Sequence, residues 1–192
     1  DKEWLVKFRA KYDSKSIGKQ EYEYSLLAKE CGIEMPETFL FEGKYFGVER
    51  FDRSIRGKLH VVSIAGLLCA DYRIPCIDYL HILQVCAELT HSIAELWKIY
   101  RLMVFNYLIG NKDDHAKNFS FIYRDEDWHF APAYDILPSN GMNGFHTTSI
   151  NDSITPTKED LIAVATKAGL PSKEAEAIFN QIHTILKSKH QV

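Results

Sequence analysis

The chain has 192 residues, 46% hydrophobic and 26% charged, so it holds enough apolar material for a sizeable core and is too evenly charged, at −3, for a disordered protein. Its 23 basic and 26 acidic residues are interspersed, which leaves no basic field for nucleic acid and no polybasic membrane anchor; a DNA or membrane contact would have to come through a partner. Cys31, Cys69, Cys76 and Cys86 form no CxxC pair and read as reduced, mostly buried thiols. No apolar run approaches the roughly 18 to 20 residues of a membrane span, so a cytoplasmic protein is expected.

The sequence opens at Asp1 without methionine and enters an apolar pattern at Trp4, which reads as a fragment beginning inside a folded unit. EWLVKF is β-branched and aromatic enough for a strand, with Lys7 alone in an apolar run. QEYEYSLLAKECG then spaces Tyr24, Leu27, Ala28 and Cys31 as a helix closed by Gly32. ETFLFEGKYFGVERFD predicts two strands around a turn at Glu42-Gly43-Lys44. From residue 59 the pattern predicts helices. One covers IDYLHILQVCAEL, with Asp78 either a cap or a surface charge; the next starts at Ser92, where Glu95 completes a capping-box spacing, and ends at Gly110. FSFIYR and WHFAPAYDIL predict a hairpin that ends near Asp135. Residues 139–156 read as a long polar loop, and two helices follow, one capped by Thr157 and closed by Gly169, the other from Ser172. There is no internal repeat and no low-complexity tract.

Residues 107–121, YLIGNKDDHAKNFSF, crowd four charged side chains, a histidine and two asparagines between apolar runs. A solvated turn would account for such residue types. Asp113 and Asn118, however, have the D-x-x-x-x-N spacing of a protein-kinase catalytic loop, in which the aspartate takes the substrate hydroxyl's proton and the asparagine holds Mg²⁺. The order of helix, loop, hairpin and a later aspartate, Asp135, agrees. Upstream, Lys7, Glu21 and the VERFD stretch stand where a kinase has its phosphate-binding lysine, the helix glutamate that holds it, and the adenine hinge. Singly, Lys7 reads as an edge-strand charge, Glu21 as a helix-start residue and Glu49 as a solvated strand residue. Together in order they point to a phosphotransferase.

FNYLIGNKDDHAKNFSF, YFGVERFDR and APAYDILPS together resemble the HipA family of bacterial toxin kinases, and the resemblance runs over essentially the whole chain. It implies an α+β, two-lobed, protein-kinase-like fold with a small β-rich N-terminal part, residues 1–53, and a larger, mainly helical C-terminal lobe, residues 54–192. It further implies a Ser/Thr protein kinase that uses ATP and Mg²⁺ and is the toxin of a toxin-antitoxin system. Its helix-turn-helix antitoxin would carry the DNA binding, so DNA would be met only indirectly. Carried over, Asp113 is the catalytic aspartate, His115 and Lys117 serve the phosphate end of the site, and Asn118 and Asp135 are the Mg²⁺ ligands. Lys7 contacts the phosphates, Glu21 anchors Lys7, the backbone of Glu49 and Phe51 forms the adenine hinge, and Tyr134 lines the nucleotide pocket. By the same analogy the protein substrate is an aminoacyl-tRNA synthetase.

The departure from the family is at the start. Kinases cover the phosphates with a loop upstream of the lysine strand, Gly-containing in this family, and the sequence begins after that position. Weak Mg²⁺-ATP binding and little transfer are therefore expected of the fragment alone. Three other readings stand beside the toxin kinase: a small-molecule phosphotransferase, disfavoured by the His-Ala-Lys-Asn context; a catalytically inactive binding module; and a metal hydrolase built on Asp113, Asp114, His115 and Asp135, for which histidines at ligand spacing are lacking.

Overall fold

The computed structural model describes residues 2–70, 77–141 and 144–189. Strand β1 (Trp4–Lys7) is followed by helix α1 (Ile17–Glu30) and the hairpin β2 (Thr38–Phe41) and β3 (Tyr45–Glu49), which join β1 in an antiparallel sheet of order β1-β3-β2. The hairpin turn takes Glu42 and Gly43 through positive φ, 50° and 69°, the backbone twist that matches two right-twisted strands. In this register Leu5 faces Val48 and Lys7 faces Phe46, so these four side chains share one face of the sheet. Helix α1 packs on the sheet at Gly18, where a Cβ would overlap the Lys44 carbonyl.

Beyond a two-stranded ribbon, β4 (Arg53–Ser54) and β5 (Gly57–Lys58), the chain departs from the helical expectation. Residues His60–Ser63 form strand β6, which pairs with β7 (Ser120–Arg124); β7 pairs with β8 (Asp127–Phe130). The reason is local and tertiary at once: Val61 and Val62 are β-branched, and their partners Ile122 and Phe121 are fully buried. Ser63 then caps a single helical turn, α2 (Ile64–Leu67), by accepting from the Gly66 N–H.

Helices α3 (Tyr79–Thr90) and α4 (Ile93–Ile109) follow. Asp78 is a cap and not a surface charge: it is buried and accepts from the Leu80 N–H, with His81 closing the box. Ser92 does stand at the N-cap of α4, but no side-chain capping bond forms there, and Glu95, the other half of the box, accepts instead from the Phe130 N–H at 2.9 Å through Oε2. Gly110 ends α4 in the left-handed conformation, as its lack of a Cβ allows. Helix α5 (Lys158–Lys167) begins with the Thr157 capping box and α6 (Ser172–Ser188) runs back along α4, where the Tyr100 hydroxyl donates to Ala175 O at 3.1 Å. The core lies between α3, α4, the tail helices and the β6–β8 sheet, with Tyr79, Tyr100, Phe105, Phe119 and Phe121 sealed inside.

Cys31 and Cys86 are buried free thiols, as expected of most of the cysteines, and Cys69 is exposed; Cys76 lies outside the described residues. Burial pushes the Cys31 thiol up to about 11 and Cys86 up to about 12. Among the described residues no helix is long and apolar enough to cross a membrane.

Candidate active site

Three residues far apart in sequence meet at one ammonium group. Lys7 Nζ lies 3.3 Å from Glu21 Oε1 and 2.6 Å from Asp135 Oδ1. Strand β1 supplies Lys7 on its pocket-facing side, the second turn of α1 supplies Glu21, and Asp135 arrives on the segment after β8. That segment leaves the hairpin earlier than expected. Strand β8 ends at Phe130, since Pro132 has no N–H for a ladder and the Ala133 N–H turns away to Glu34 O at 2.8 Å. Asp135 itself sits at φ 58°, a left-handed conformation that costs a non-glycine residue on the order of 1 kcal/mol or more and recurs at functional sites.

Burial works against the Lys7 ammonium, but Asp135 and then Glu21 outweigh it and hold the lysine above its ordinary value. For Glu21 burial wins over Lys7, and its carboxyl is pushed up. Its second oxygen, Oε2, is buried and accepts no hydrogen bond among the described residues.

The same three residues line a cavity of about 380 Å³, within the range of small-ligand sites. Leu5, Met35, Phe46, Val48 and Ile136 make its apolar walls, and Glu49, Arg50 and Phe51 line the bend after β3. The Glu49 N–H is spent on Glu37 O at 2.8 Å and its carboxylate on Lys2, also at 2.8 Å. Asp52 fixes the bend: it receives Arg50 through two bonds, at 2.9 and 2.6 Å, and Arg53 at 2.6 Å. Phe51 stacks on Tyr134, with centroids 5.8 Å apart and planes at 25°.

Tyr134 joins this cavity to the 107–121 segment. Its hydroxyl donates to Lys117 O at 2.6 Å and lies 2.6 Å from Ser120 Oγ, which must then be the donor of that second bond. Asp113 is exposed, and its carbonyl accepts from Asn118 Nδ2 at 3.0 Å. His115 precedes a 3₁₀ turn, Ala116–Asn118, and its carbonyl takes the Asn118 N–H at 2.8 Å. The structure thus gathers Lys7, Glu21, Glu49, Phe51, Tyr134 and Asp135 around one cavity. Asp113, His115, Lys117 and Asn118 form a neighbouring loop that does not line it.

The donor set suits a hard cation. With its amide nitrogen on Asp113 O, Asn118 has the oxygen Oδ1 as its remaining side-chain acceptor, and Asp135 has a second oxygen beyond the one on Lys7. Among the described residues no three His, Cys, Asp or Glu side chains cluster as a metal cage; a cation here would draw its remaining ligands from phosphate oxygens and water. A metal hydrolase on Asp113, Asp114, His115 and Asp135 has no such cage. Asp114 is sealed among protein donors: Tyr79 OH at 3.0 Å, His146 Nδ1 at 3.1 Å, and the Thr147 and Thr148 N–H groups at 3.0 and 3.2 Å. Burial first, and then the Asp114 charge, keep the Tyr79 phenol well above its ordinary value, so it remains a donor.

Several residues of this neighbourhood escaped the reading of the sequence: Asp52 as the brace of the bend, and His146, Thr147 and Thr148 as partners of the 111–118 loop. The Arg50-Phe51-Asp52-Arg53 alternation of charges was a usable signal for the first. Nothing local marks the others, because their partners lie more than 30 residues away.

Comparison with known proteins bears on the family and the fold. A relative from Sinorhizobium fredii, named "Putative kinase Y4dM", is 29% identical over 194 residues, covering 88% of this chain and 47% of its own. A "Putative kinase" of Haemophilus influenzae is 28% identical over 141 residues, 63% of this chain and 41% of its own. The chain therefore spans less than half the length of either curated relative. Among solved structures, HipA of Shewanella oneidensis MR-1, in a toxin-antitoxin complex with HipB and operator DNA, superposes with a TM-score of 0.79 at 21% identity, over 98% of this chain and 52% of that one. The Helicobacter pylori proinflammatory kinase CtkA superposes with a TM-score of 0.58 at 14% identity, over 98% and 87% of the two chains. These likenesses establish a kinase-like α+β fold. The HipA-like C-terminal domain profile matches residues 1–189, and the chain belongs to that family.

Proposed function

We propose that this chain is the nucleotide-binding and phosphoryl-transfer core of a HipA-like Ser/Thr protein kinase, the toxin of a toxin-antitoxin pair. The observation that carries the reading is the convergence of Glu21 and Asp135 on Lys7 in the wall of a cavity that also presents Leu5, Met35, Phe46, Val48 and Ile136. A kinase needs a lysine on the phosphates, a glutamate that holds the lysine, and a metal-binding aspartate beside them. The β-rich residues 1–53 and the helical residues 54–192 are the two lobes in this reading, and the Arg50–Asp52 bend lies between them.

Adenine would enter between the apolar walls and meet the Glu49 carbonyl and the Phe51 N–H, since the Glu49 N–H is already bonded. Lys7 would hold phosphate oxygens, with Glu21 keeping its ammonium in place. Asn118 and Asp135 would hold Mg²⁺, which when bound neutralises charge on the phosphates. Asp113, exposed beside Asn118, would orient the acceptor hydroxyl and take its proton, while His115 and Lys117 serve the phosphate end. The HipB and operator DNA bound to the Shewanella HipA support a helix-turn-helix antitoxin as partner and an indirect DNA contact. The resemblance extends this to a cytoplasmic setting and an aminoacyl-tRNA synthetase as substrate.

Asp135→Ala removes an oxygen ligand from an exposed position and should leave the fold intact while abolishing the Mg²⁺-dependent part of ATP binding. Calorimetry with ATP in the presence and absence of Mg²⁺ reads this. Unchanged metal-dependent affinity in the variant would overturn the assignment.

A further inference from the structure

We infer that Asp114 is a positioning residue for Asp113, and that His146, Thr147 and Thr148 form the clamp through which it acts; this rests on the kinase reading given above. Residues 146–148 belong to the polar stretch expected to be a plain loop. In the structure they run alongside the 111–118 segment and hold the peptide carbonyls on both sides of Asp113. Lys112 O accepts the Thr147 N–H at 3.1 Å and the Thr147 hydroxyl at 3.0 Å. Asp113 O accepts Asn118 Nδ2, and Asp114 O accepts the Thr148 hydroxyl. Three consecutive carbonyls are therefore fixed, two of them by the clamp, while the Asp113 residue itself stays exposed.

The Asp114 side chain points the other way, into the protein. Only 1% of the residue is exposed, and both of its oxygens are occupied. Oδ1 takes the Thr147 and Thr148 N–H groups, and Oδ2 takes Tyr79 OH and lies against His146 Nδ1. Tyr79 OH in turn accepts from Asn106 Nδ2 at 3.1 Å, and Asn106 Oδ1 accepts from Asn111 Nδ2 at 3.1 Å. Donors thus run in one direction, Asn111 to Asn106 to Tyr79 to Asp114, and end on an acceptor-only carboxylate. The network ties α3, α4, the loop and the clamp together beneath Asp113. A buried network that is satisfied throughout holds one geometry. Such precision is what a proton-accepting carboxylate on an exposed loop requires, because a misplacement of about 1 Å can cost on the order of 10²-fold in rate.

The test uses Thr148→Val, which deletes one hydroxyl at constant shape, with Thr148→Ser as the conservative variant and Asp114→Asn as the direct one. In the intact protein, Thr148→Val and Asp114→Asn are each expected to lower kcat for transfer from ATP by about 10- to 100-fold, with the ATP dissociation constant unchanged; Thr148→Ser should restore the rate. Amide hydrogen exchange reads the clamp without any activity: the Lys112 and Asn118 N–H groups, bonded to Ser139 O and His115 O, should exchange faster in Thr148→Val while α4 stays protected. Unaltered exchange at those amides would overturn the inference by itself. So would a wild-type kcat in Thr148→Val under conditions where Asp113→Asn abolishes transfer. If Asp113→Asn leaves transfer intact, the assignment of Asp113 is what fails; if the wild-type protein transfers no phosphate, the kinase reading fails.

Discussion

Lys7 and Asp52 show how single residues shape this site. Lys7 holds two carboxylates from different parts of the chain, and since they outweigh its burial it stays cationic well beyond neutral pH. Asp52 has the opposite arrangement, one carboxylate between two guanidiniums, with the Arg50 hydrogen bonds outweighing partial burial to hold it below the usual carboxylate range. Because its folded pKa is depressed, the stability it contributes is present above the unfolded value and is lost as pH falls through the folded value. Asp52→Asn should therefore cost about 1 kcal/mol near neutral pH, for a partly exposed charge-assisted pair, and nothing at strongly acid pH. Urea midpoints of the two proteins across that range check it; a pH-independent difference would contradict it. Lys7, Glu21 and Asp135 were legible in the sequence, because the order of strand, helix and hairpin fixes where such residues fall. Asp114 was not. It stands next to Asp113 with the same side chain, and only donors from residues 79 and 146–148 decide that one is buried and the other is not.

At the level of elements, the position of α1 sets Glu21, and Gly18 sets the position of α1. A methyl at Gly18 would overlap the Lys44 carbonyl and crowd the Phe46 N, both backbone atoms that cannot swing aside. Gly18→Ala should raise intrinsic helix propensity and still destabilise the protein by about 1 to 3 kcal/mol, with ATP binding weakened because Glu21 moves off Lys7. Denaturant unfolding and calorimetry together would show this; a stabilised variant with normal affinity would refute it. Strands β1 to β3 and helices α4 to α6 followed from periodicity and caps. Strand β6 did not, since His60–Ser63 runs directly into α2 and its β character is decided by pairing with β7. The Ser92–Glu95 capping box was legible as a pattern but unmade in the fold, where the Phe130 N–H claims the glutamate. A local motif lost to a tertiary partner.

Across the whole molecule, the N-terminal sheet and the helical part are joined by more than the chain between them. Lys98 of α4 bridges Glu34, 2.8 Å away on the segment after α1, and Glu95, 2.9 Å away on its own helix. Glu95 also reaches β8 through the Phe130 N–H, and the Ala133 N–H meets Glu34 O. These contacts bring the segment that carries Tyr134 and Asp135 under the sheet that carries Lys7. The cavity and the loop of Asp113 are thereby held side by side, as transfer from a bound nucleotide to a hydroxyl requires. The most direct test of that account is single-turnover transfer from γ-labelled ATP in the presence of Mg²⁺, measured for the intact wild-type protein and for Asp113→Asn, with ATP affinity determined in parallel. The substitution should lower transfer by about 10²- to 10⁴-fold and leave the ATP dissociation constant unchanged; transfer at the wild-type rate by Asp113→Asn would contradict the role given to Asp113.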